Sequence, residues 1–429
     1  EIVLSGGGNT IYVSTTAAYI AYASYNYRQP KWDYYVDVVP LFTAEYSEKV
    51  EAIEREDIAQ WRKENLKIQI AVEFLDTLNE SQSNELYAAV YQREQNATGE
   101  QVGEKTIVHK FMLSDANGEI QYFGKGYVPG HLLNQFSLDE HGGYLRLATT
   151  IGEVHRERTE NPATNNVYVL DASLNLTGKL EGLAPGERLY SSRFMGEKAY
   201  LVTFKKVDPL FVIDLSNPQK PQLLGKLKVP GYSDYLHPVD ENHLIGLGKD
   251  AIPAEEGDFA WYQGVKLTLF DVSNVNNPIE LSTYKIGDRG TNSYALDDHR
   301  AFLFNAANGL LVIPVTLAEI NPSQYPEGVQ PQSYGDYTFQ GAYVFNVSLA
   351  DGFTLRGRVS HVNEDELAKS GEYYYGGDGT NVERSAYIDN VLYTVSQKYI
   401  KANDLSTLEE KATVTLPFEQ NYDGPYYIE

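Results

Sequence analysis

Eight histidines, at positions 109, 131, 141, 155, 237, 243, 299 and 361, are the side chains of this 429-residue sequence best suited to proton transfer or metal binding near neutral pH. They do not pair as zinc ligands do, because no HExxH occurs and no two lie four apart on a helical stretch. His141, His243 and His299 fall near the hairpin turns of successive repeats, so equivalent positions in different repeats are the metal reading they support; exposed turn histidines are the ordinary one. The paired acids Asp139-Glu140 and Asp297-Asp298 also sit in turn sequences. A GxSxG elbow, a Walker loop and a dinucleotide fingerprint are all absent. Zero cysteine removes disulfides, thiolate catalysis and zinc-thiolate or iron-sulfur sites. No catalytic residue set and no cofactor are expected on these grounds. Calcium is the metal an acidic, cysteine-free surface suits, with Asp378-Gly379-Thr380-Asn381 and Asp288-Arg289-Gly290 as loose oxygen-ligand loops, neither spaced as an EF-hand.

The elements that would position these side chains are read from a repeat. Leu210 to Gly248 contains four strand-like runs and three turns in about forty residues, the size of one β-propeller blade. A hydrophobic strand ending in a small polar turn recurs with serines at 114, 173, 216, 273, 348 and 406, and two residues before each stand Met112, Asp171, Asp214, Asp271, Asn346 and Asp404. A carboxylate or amide there accepts backbone N–H groups of the turn, and Ser114, Ser173, Ser216, Ser273, Ser348 and Ser406 can do the same more weakly. These are structural turn positions rather than chemistry. A second strand follows each anchor and a hairpin follows five of them; the N-terminal TIYVSTTAAYIAY matches the missing hairpin, so ring closure by shared strands is expected.

The fold expected is all-β, a β-propeller of four-stranded blades with six blade-equivalents. Three regions divide it: N-terminal propeller strands and an aromatic connector over 1–46, an α-helical hairpin insertion over 47–100, and the remaining blades over 101–429. In the insertion Val50, Ile53, Ile58, Trp61, Ile68, Val72, Leu75 and Leu78 recur at helical spacing and predict a buried stripe, with Ser81 or Ser83 capping a second helix. The stretches 249–264, 318–339 and 364–380 read as long loops, where a rigid β scaffold usually carries its binding surface. A net charge of −24 disfavours nucleic acid and anionic membranes, and no apolar run is long enough to span a bilayer. Four N-x-S/T sequons mark Asn79, Asn96, Asn175 and Asn346 as glycosylation positions.

The runs LLNQFSLDEHGGYLRLATT, RFMGEKAYLVTFKKVDPLFVIDLSNPQKPQLLGKLKVPGYSDYLHPVDENHLIGLGKD, EEGDFAWYQGVKLTLFDVSNVNNP and YVFNVSLADGFTLRGRVSH together resemble archaeal and bacterial secreted proteins with a C-terminal β-propeller distantly related to WD40 repeats. The resemblance implies an extracellular or cell-envelope location and carries no catalytic set. It also implies that the ring has seven or eight blades, with about two lying upstream of Glu1; at Glu1 itself no positively charged leader with an apolar core is visible. The expected role is a non-enzymatic protein-interaction or structural module of the cell surface, with a protein or glycan partner. The alternatives are a hydrolase acting on peptide or glycan at the central channel, and a subunit of a larger surface assembly completed by a separate N-terminal fragment.

Overall fold

The computed structural model describes residues 10–26, 32–79, 82–83, 85–86, 89–90, 93, 103–113, 119–152, 163–204, 208–229, 231–254, 259–362 and 379–418. The chain forms two compact units, one combining residues up to Tyr22 with those from Val108 onward, the other running from Ala23 to Ile107.

Six sheets succeed one another, each a meander whose hydrogen-bonded order is its sequence order. The first blade holds β1 (Thr10–Val13), β2 (Ala17–Asn26), β3 (Gly103–Leu113) and β4 (Ile120–Pro129). In the second, β5 (His131–Leu132) and β6 (Leu138–His141) share one edge of β7 (Tyr144–Ile151), followed by β8 (Thr164–Leu170) and β9 (Leu176–Leu183). The third has β10 (Arg188–Met195), β11 (Lys198–Phe204), β12 (Asp208–Asp214) and β13 (Gln222–Val229), and the fourth β14 (Tyr232–Pro238), β15 (His243–Pro253), β16 (Ala260–Asp271) and β17 (Ile279–Ile286). The fifth has β18 (Leu303–Asn305), β19 (Leu310–Glu319), β20 (Asp336–Ser348) and β21 (Gly352–Val359), and the sixth β22 (Arg384–Ile388), β23 (Val391–Val395), β24 (Tyr399–Asp404) and β25 (Glu410–Thr415).

Blades join face to face, because alternate residues of each strand point to opposite sides and both sides of an inner blade are apolar. In the third blade Ala199, Leu201 and Ile213 pack on Val167 and Val169 of the second, while Tyr200, Val202 and Val212 pack on Leu244 and Phe270 of the fourth. Further clusters join the first blade to the second, the fourth to the fifth and the fifth to the sixth.

The phase of the repeat differs from the expectation. Each hairpin precedes its anchored strand, so β1 and β2 complete the first blade and the sixth comes wholly from residues 384–415. Ring closure by shared strands is thereby overturned. A periodic strand–turn pattern does not mark where a unit begins, and the helical unit between β2 and β3 separates the N-terminal hairpin from its own blade.

Antiparallel succession puts the connections between second and third strands, and those between blades, at one end of the sheets. The connection 320–335 and the described ends of two others, at residues 254 and 259 and at 360–362 and 379–383, therefore share that end. The Asp-x-Ser turns, between third and fourth strands, lie at the other. There Ser216 N donates to Asp214 Oδ1 at 2.9 Å, Ser273 N to Asp271 Oδ1 at 2.8 Å, Ser173 N to Asp171 Oδ1 at 2.9 Å and Ser406 N to Asp404 Oδ1 at 2.8 Å. At the fifth turn Asn346 is exposed, and Ser348 Oγ accepts from Asp351 N at 2.9 Å instead. Ser114 lies outside the described residues.

In the helical unit, α1 (Ala44–Arg55) and α2 (Gln60–Leu75) pack around Val38, Tyr46, Ala71 and Phe74, with the Phe42 and Tyr46 rings 5.1 and 5.2 Å from Phe74. The expected stripe is in phase only in part: Val50, Ile53, Ile58, Leu75 and Leu78 are half-buried, whereas Trp61, Ile68 and Val72 are exposed and α2 buries Lys67, Ala71 and Phe74. Lys67 is the reason the pattern misleads, since its ammonium is paired with Glu54 and Glu64 and its stem is covered. Of the two expected caps, Ser81 lies outside the described residues and Ser83 donates its N–H to the Asn79 carbonyl at 2.9 Å; Asn79 Oδ1 accepts from Gln82 N at 3.0 Å and Gln82 Oε1 accepts from Asn79 N at 3.1 Å, a capping box that starts at Asn79.

Two variants separate the roles of core and turn. Phe270→Ala, at the interface of the third and fourth blades, is expected to cost about 3–5 kcal/mol. Asp214→Ala, which loses an exposed turn bond, is expected to cost about 1 kcal/mol. Urea denaturation midpoints check both; equal losses would refute the packing hierarchy.

Candidate functional site

The loop-bearing end of the third to fifth blades collects the charged and aromatic side chains. It starts from backbone irregularity. On β14 the register slips between Ser233, opposite Gly248, and Tyr235, opposite Leu247, leaving Asp234 as the extra residue of a β-bulge. A bulge re-aims the side chain it carries. The same slip occurs at Tyr190 on β10, between Leu189 and Ser191. Two glycines permit the approach of β14 to β15: Gly231 has φ +82°, and a Cβ at Gly248 would lie 1.8 Å from the Tyr232 carbonyl oxygen.

Asp234 is half-buried, and burial pushes its carboxyl up to about 7; Lys249 opposes the shift and Asp297 reinforces it. Lys249, at the end of β15, is pushed down to about 8 by burial, while Asp234 and Asp297 favour its charged form. The lysine Nζ donates to the Thr291 carbonyl, which ties the fourth blade to the connection entering the fifth. Asp297 closes α3 (Tyr294–Asp297), a helical turn preceding β18 in the fifth blade. Two carboxyls and an ammonium thus interact across two blades.

Around this cluster stand four rings from the third and fourth blades. Tyr232 has its centroid 4.5 Å from Tyr190, 4.9 Å from Phe204 and 5.0 Å from Tyr262, and the Tyr190 and Tyr262 hydroxyls are 3.1 Å apart. Burial holds the Tyr232 and Tyr262 phenols well above their ordinary value, so they stay protonated. Arg188 lies over the Tyr190 ring at 4.7 Å. Arg289 lies 4.4 Å from the Tyr334 ring and 5.3 Å from Trp261, and its Nη1 donates to the Tyr262 carbonyl at 2.8 Å. The loop carrying Tyr334 is fixed by Gln263 Nε2 to the Pro331 carbonyl at 2.9 Å and by Ile320 N to Asp288 Oδ2 at 2.7 Å. Aromatic faces, fixed cations and a carboxyl protonated near neutrality can together bind an amphipathic ligand, and Asp234 can lend or take a proton there.

Deeper along the blades the lining is aromatic and amide. The helical turn Gln135–Ser137 interrupts the first strand of the second blade, and Gln135 Nε2 reaches the His299 ring of the fifth at 3.3 Å. Phe136 meets the His299 ring at 4.8 Å and Tyr235 at 5.4 Å. Tyr235 OH and His237 Nδ1 are 2.9 Å apart, and burial pushes His237 down to about 4.

The residues singled out in the sequence are dispersed. His141 and His243 lie at hairpin turns, the latter 2.8 Å from Asp240, whereas His299 stands in the interrupted first strand; the three do not share a site. His361 binds Ser396 and Thr394, and His109 binds Tyr122. Asp139 pairs with Arg146, and Glu140 accepts from Thr16 Oγ1 at 2.8 Å, joining the first two blades. Asp298 is held well below the carboxylate range by Arg300 and then Arg384. Among the described residues no group of three His, Asp or Glu side chains could hold a metal ion; Asp378, His155 and Asn96 lie outside them. Asn175 Nδ2 donates to Asp171 Oδ2 at 3.2 Å. Sequence reasoning missed Asp234, Lys249 and Arg188, and named Arg289 only as part of a calcium loop, whereas its side chain lies over the Tyr334 ring and donates to the Tyr262 carbonyl. The available signal was the aligned runs Tyr190-Ser191-Ser192, Tyr232-Ser233-Asp234 and Asn292-Ser293-Tyr294, in which only the fourth blade places an acid after the serine.

The family model described as Beta propeller domain matches residues 1–408. An uncharacterized protein of Methanocaldococcus jannaschii is 41% identical over 271 residues, 63% of this chain and 35% of that protein. One of Archaeoglobus fulgidus is 31% identical over 419 residues, 97% of this chain and 56% of that protein. The chain thus spans about a third and about half the length of these curated relatives. Among solved structures, Sqt1 of Saccharomyces cerevisiae is 10% identical with a TM-score of 0.40, covering 72% of this chain and 70% of that one. The C-terminal WD40 domain of Sif2 is likewise 10% identical with a TM-score of 0.33, covering 72% and 66%.

The carboxyl at 234 makes stability pH-dependent. Between the ordinary carboxylate value near 4 and about 7 the folded protein keeps a proton that the unfolded chain has released, so stability falls as pH rises through that window. Asp234→Asn is expected to remove this slope. The sign reverses for Lys249, whose lowered value makes stability rise from about 8 toward the ordinary lysine range. Thermal midpoints against pH for wild type and Asp234→Asn decide it; parallel curves would refute the assignment.

Proposed function

The chain belongs to the Beta propeller domain family, and on that premise we propose that it is a non-enzymatic interaction module of the cell surface, binding a protein or glycan partner at the loop-bearing mouth of the third to fifth blades. The observation carrying this reading is the Tyr190–Tyr232–Tyr262 cluster with Arg188 and Arg289 held over ring faces beside the Asp234–Lys249 pair. Rigid tyrosines and arginines give contact area at small entropic cost, as binding centres require. The proposed extracellular or envelope location follows the resemblance to secreted proteins. Asn79, Asn175 and Asn346 are the proposed glycan acceptors within the described residues. No described helix is long and apolar enough to cross a membrane.

A second reading is a hydrolase acting on peptide or glycan at the same mouth. It is favoured by Asp234, a carboxyl raised toward neutrality within the electrostatic reach of Asp297, as a general acid beside a second carboxylate would be.

Purified chain screened against glycan and peptide arrays tests both. The binding reading expects a hit weakened at least tenfold, about 1.4 kcal/mol, by Tyr232→Ala or Arg188→Ala, with no turnover. Turnover abolished by Asp234→Asn, with binding retained, would replace it by the hydrolase reading.

A further inference from the structure

Arg193, on the first strand of the third blade, carries a charge that the fold does not answer. Ser192 and Phe194 turn toward the second blade, so Arg193 turns with Ser191 and Met195 toward the fourth. Its guanidinium lies 5.0 Å from the centre of the Phe136 ring; among the described residues no carboxylate pairs with it and no hydrogen-bond acceptor meets its side chain. The other buried or half-buried arginines among them, Arg93, Arg146, Arg289, Arg356 and Arg384, each donate to a carboxylate or a backbone carbonyl. Withdrawing five N–H donors partly from water without an acceptor is unfavourable, and an acceptor brought by a ligand would offset that cost.

Three other blades bring side chains to the same place. The Phe136 ring of the second blade meets Tyr235 of the fourth at 5.4 Å and His299 of the fifth at 4.8 Å. Gln135 Nε2 donates to the His299 ring at 3.3 Å, and a neutral imidazole that accepts at one nitrogen carries its proton on the other. The imidazole is neutral at pH 7 because burial first, and then Arg300, Arg193 and Arg384 against Asp298, hold it below its ordinary value. Three guanidiniums and one carboxylate thus act on this point, a local excess of positive charge in a chain of net charge −24. Gln135, Phe136, Arg193, His237 and His299 are all half-buried, so solvent reaches each of them.

We propose that Arg193, with the His299 N–H beside it, is a binding site for a single carboxylate carried on a planar or apolar body. The planar guanidinium fork matches a carboxylate bidentately, and the Phe136 and Tyr235 rings offer apolar surface to the body behind it. The negative charge of the whole chain disfavours polyanions, whereas one carboxylate answers the local excess. The site is separate from the mouth, since Arg193 stands five residues beyond Arg188 on β10, about 17 Å along the strand.

Benzoate is the probe, benzamide its uncharged match in shape and inorganic phosphate the competing anion. Calorimetric titration of the purified chain is expected to give saturable one-to-one binding of benzoate with Kd about 1 mM or tighter. Benzamide and phosphate are expected to bind at least tenfold more weakly, and Arg193→Gln to weaken benzoate at least tenfold. In the unsubstituted protein, magnetisation transfer from benzoate protons to the Phe136 and His299 rings locates the ligand and covers the case of a variant that does not fold. No saturable benzoate binding, equal binding of benzamide, tighter binding of phosphate, undiminished binding by folded Arg193→Gln, or transfer to other rings instead would each overturn the proposal. The titration involves no ligand of the mouth, so this proposal and the proposed function fail separately.

Discussion

Everything else in the propeller unit depends on sheets packing face to face along the series. A four-stranded sheet is too small to be stable alone, and its two apolar faces are useful only when a neighbour covers each. That requirement explains why Val, Leu, Ile and Phe occupy both faces of the inner strands, and why β7, β8, β11 and β19 are buried along nearly their whole length. Polar groups buried within the blades are tied by hydrogen bonds, as Arg146 is to Asp139 and Asn165 to Thr150 and the Glu187 carbonyl.

The candidate site is a consequence of those restrictions. Polar and charged groups collect where first strands begin and the long connections meet, and bulges at Tyr190 and Asp234 turn side chains out of the blade faces. Buried serines knit the same strands together: Ser191 Oγ donates to the Ser233 carbonyl at 2.6 Å, and Ser137 and Ser192 share a bond at 3.0 Å. With the scaffold fixed in this way, a half-buried Asp beside a half-buried Lys can hold perturbed protonation that a mobile loop would relax. At the opposite end the Asp-x-Ser turns hold Asp171, Asp271 and Asp404 below the ordinary carboxylate range through bonds to the turn and, at Asp404, foremost to Lys411, so these acids stay ionised.

The helical unit illustrates why periodicity is an incomplete guide. Its helices were legible from spacing, but the buried face only in part, because Lys67 is covered through its paired ammonium while Trp61 is left exposed. A pattern of residue types records hydrophobicity, whereas burial also depends on whether a charge finds partners.

The sequence alone determined the blade: strand length, the Asp-x-Ser turn and the helical interruption are local, set by side-chain alternation and by turn chemistry within a few residues. Beta propeller family membership was legible for the same reason. The phase of the repeat, the common end of the long connections, and the meeting of Asp234 with Lys249 and Asp297 belong to the tertiary structure. Each depends on which distant strands pair and where a register slips, and no local window contains that.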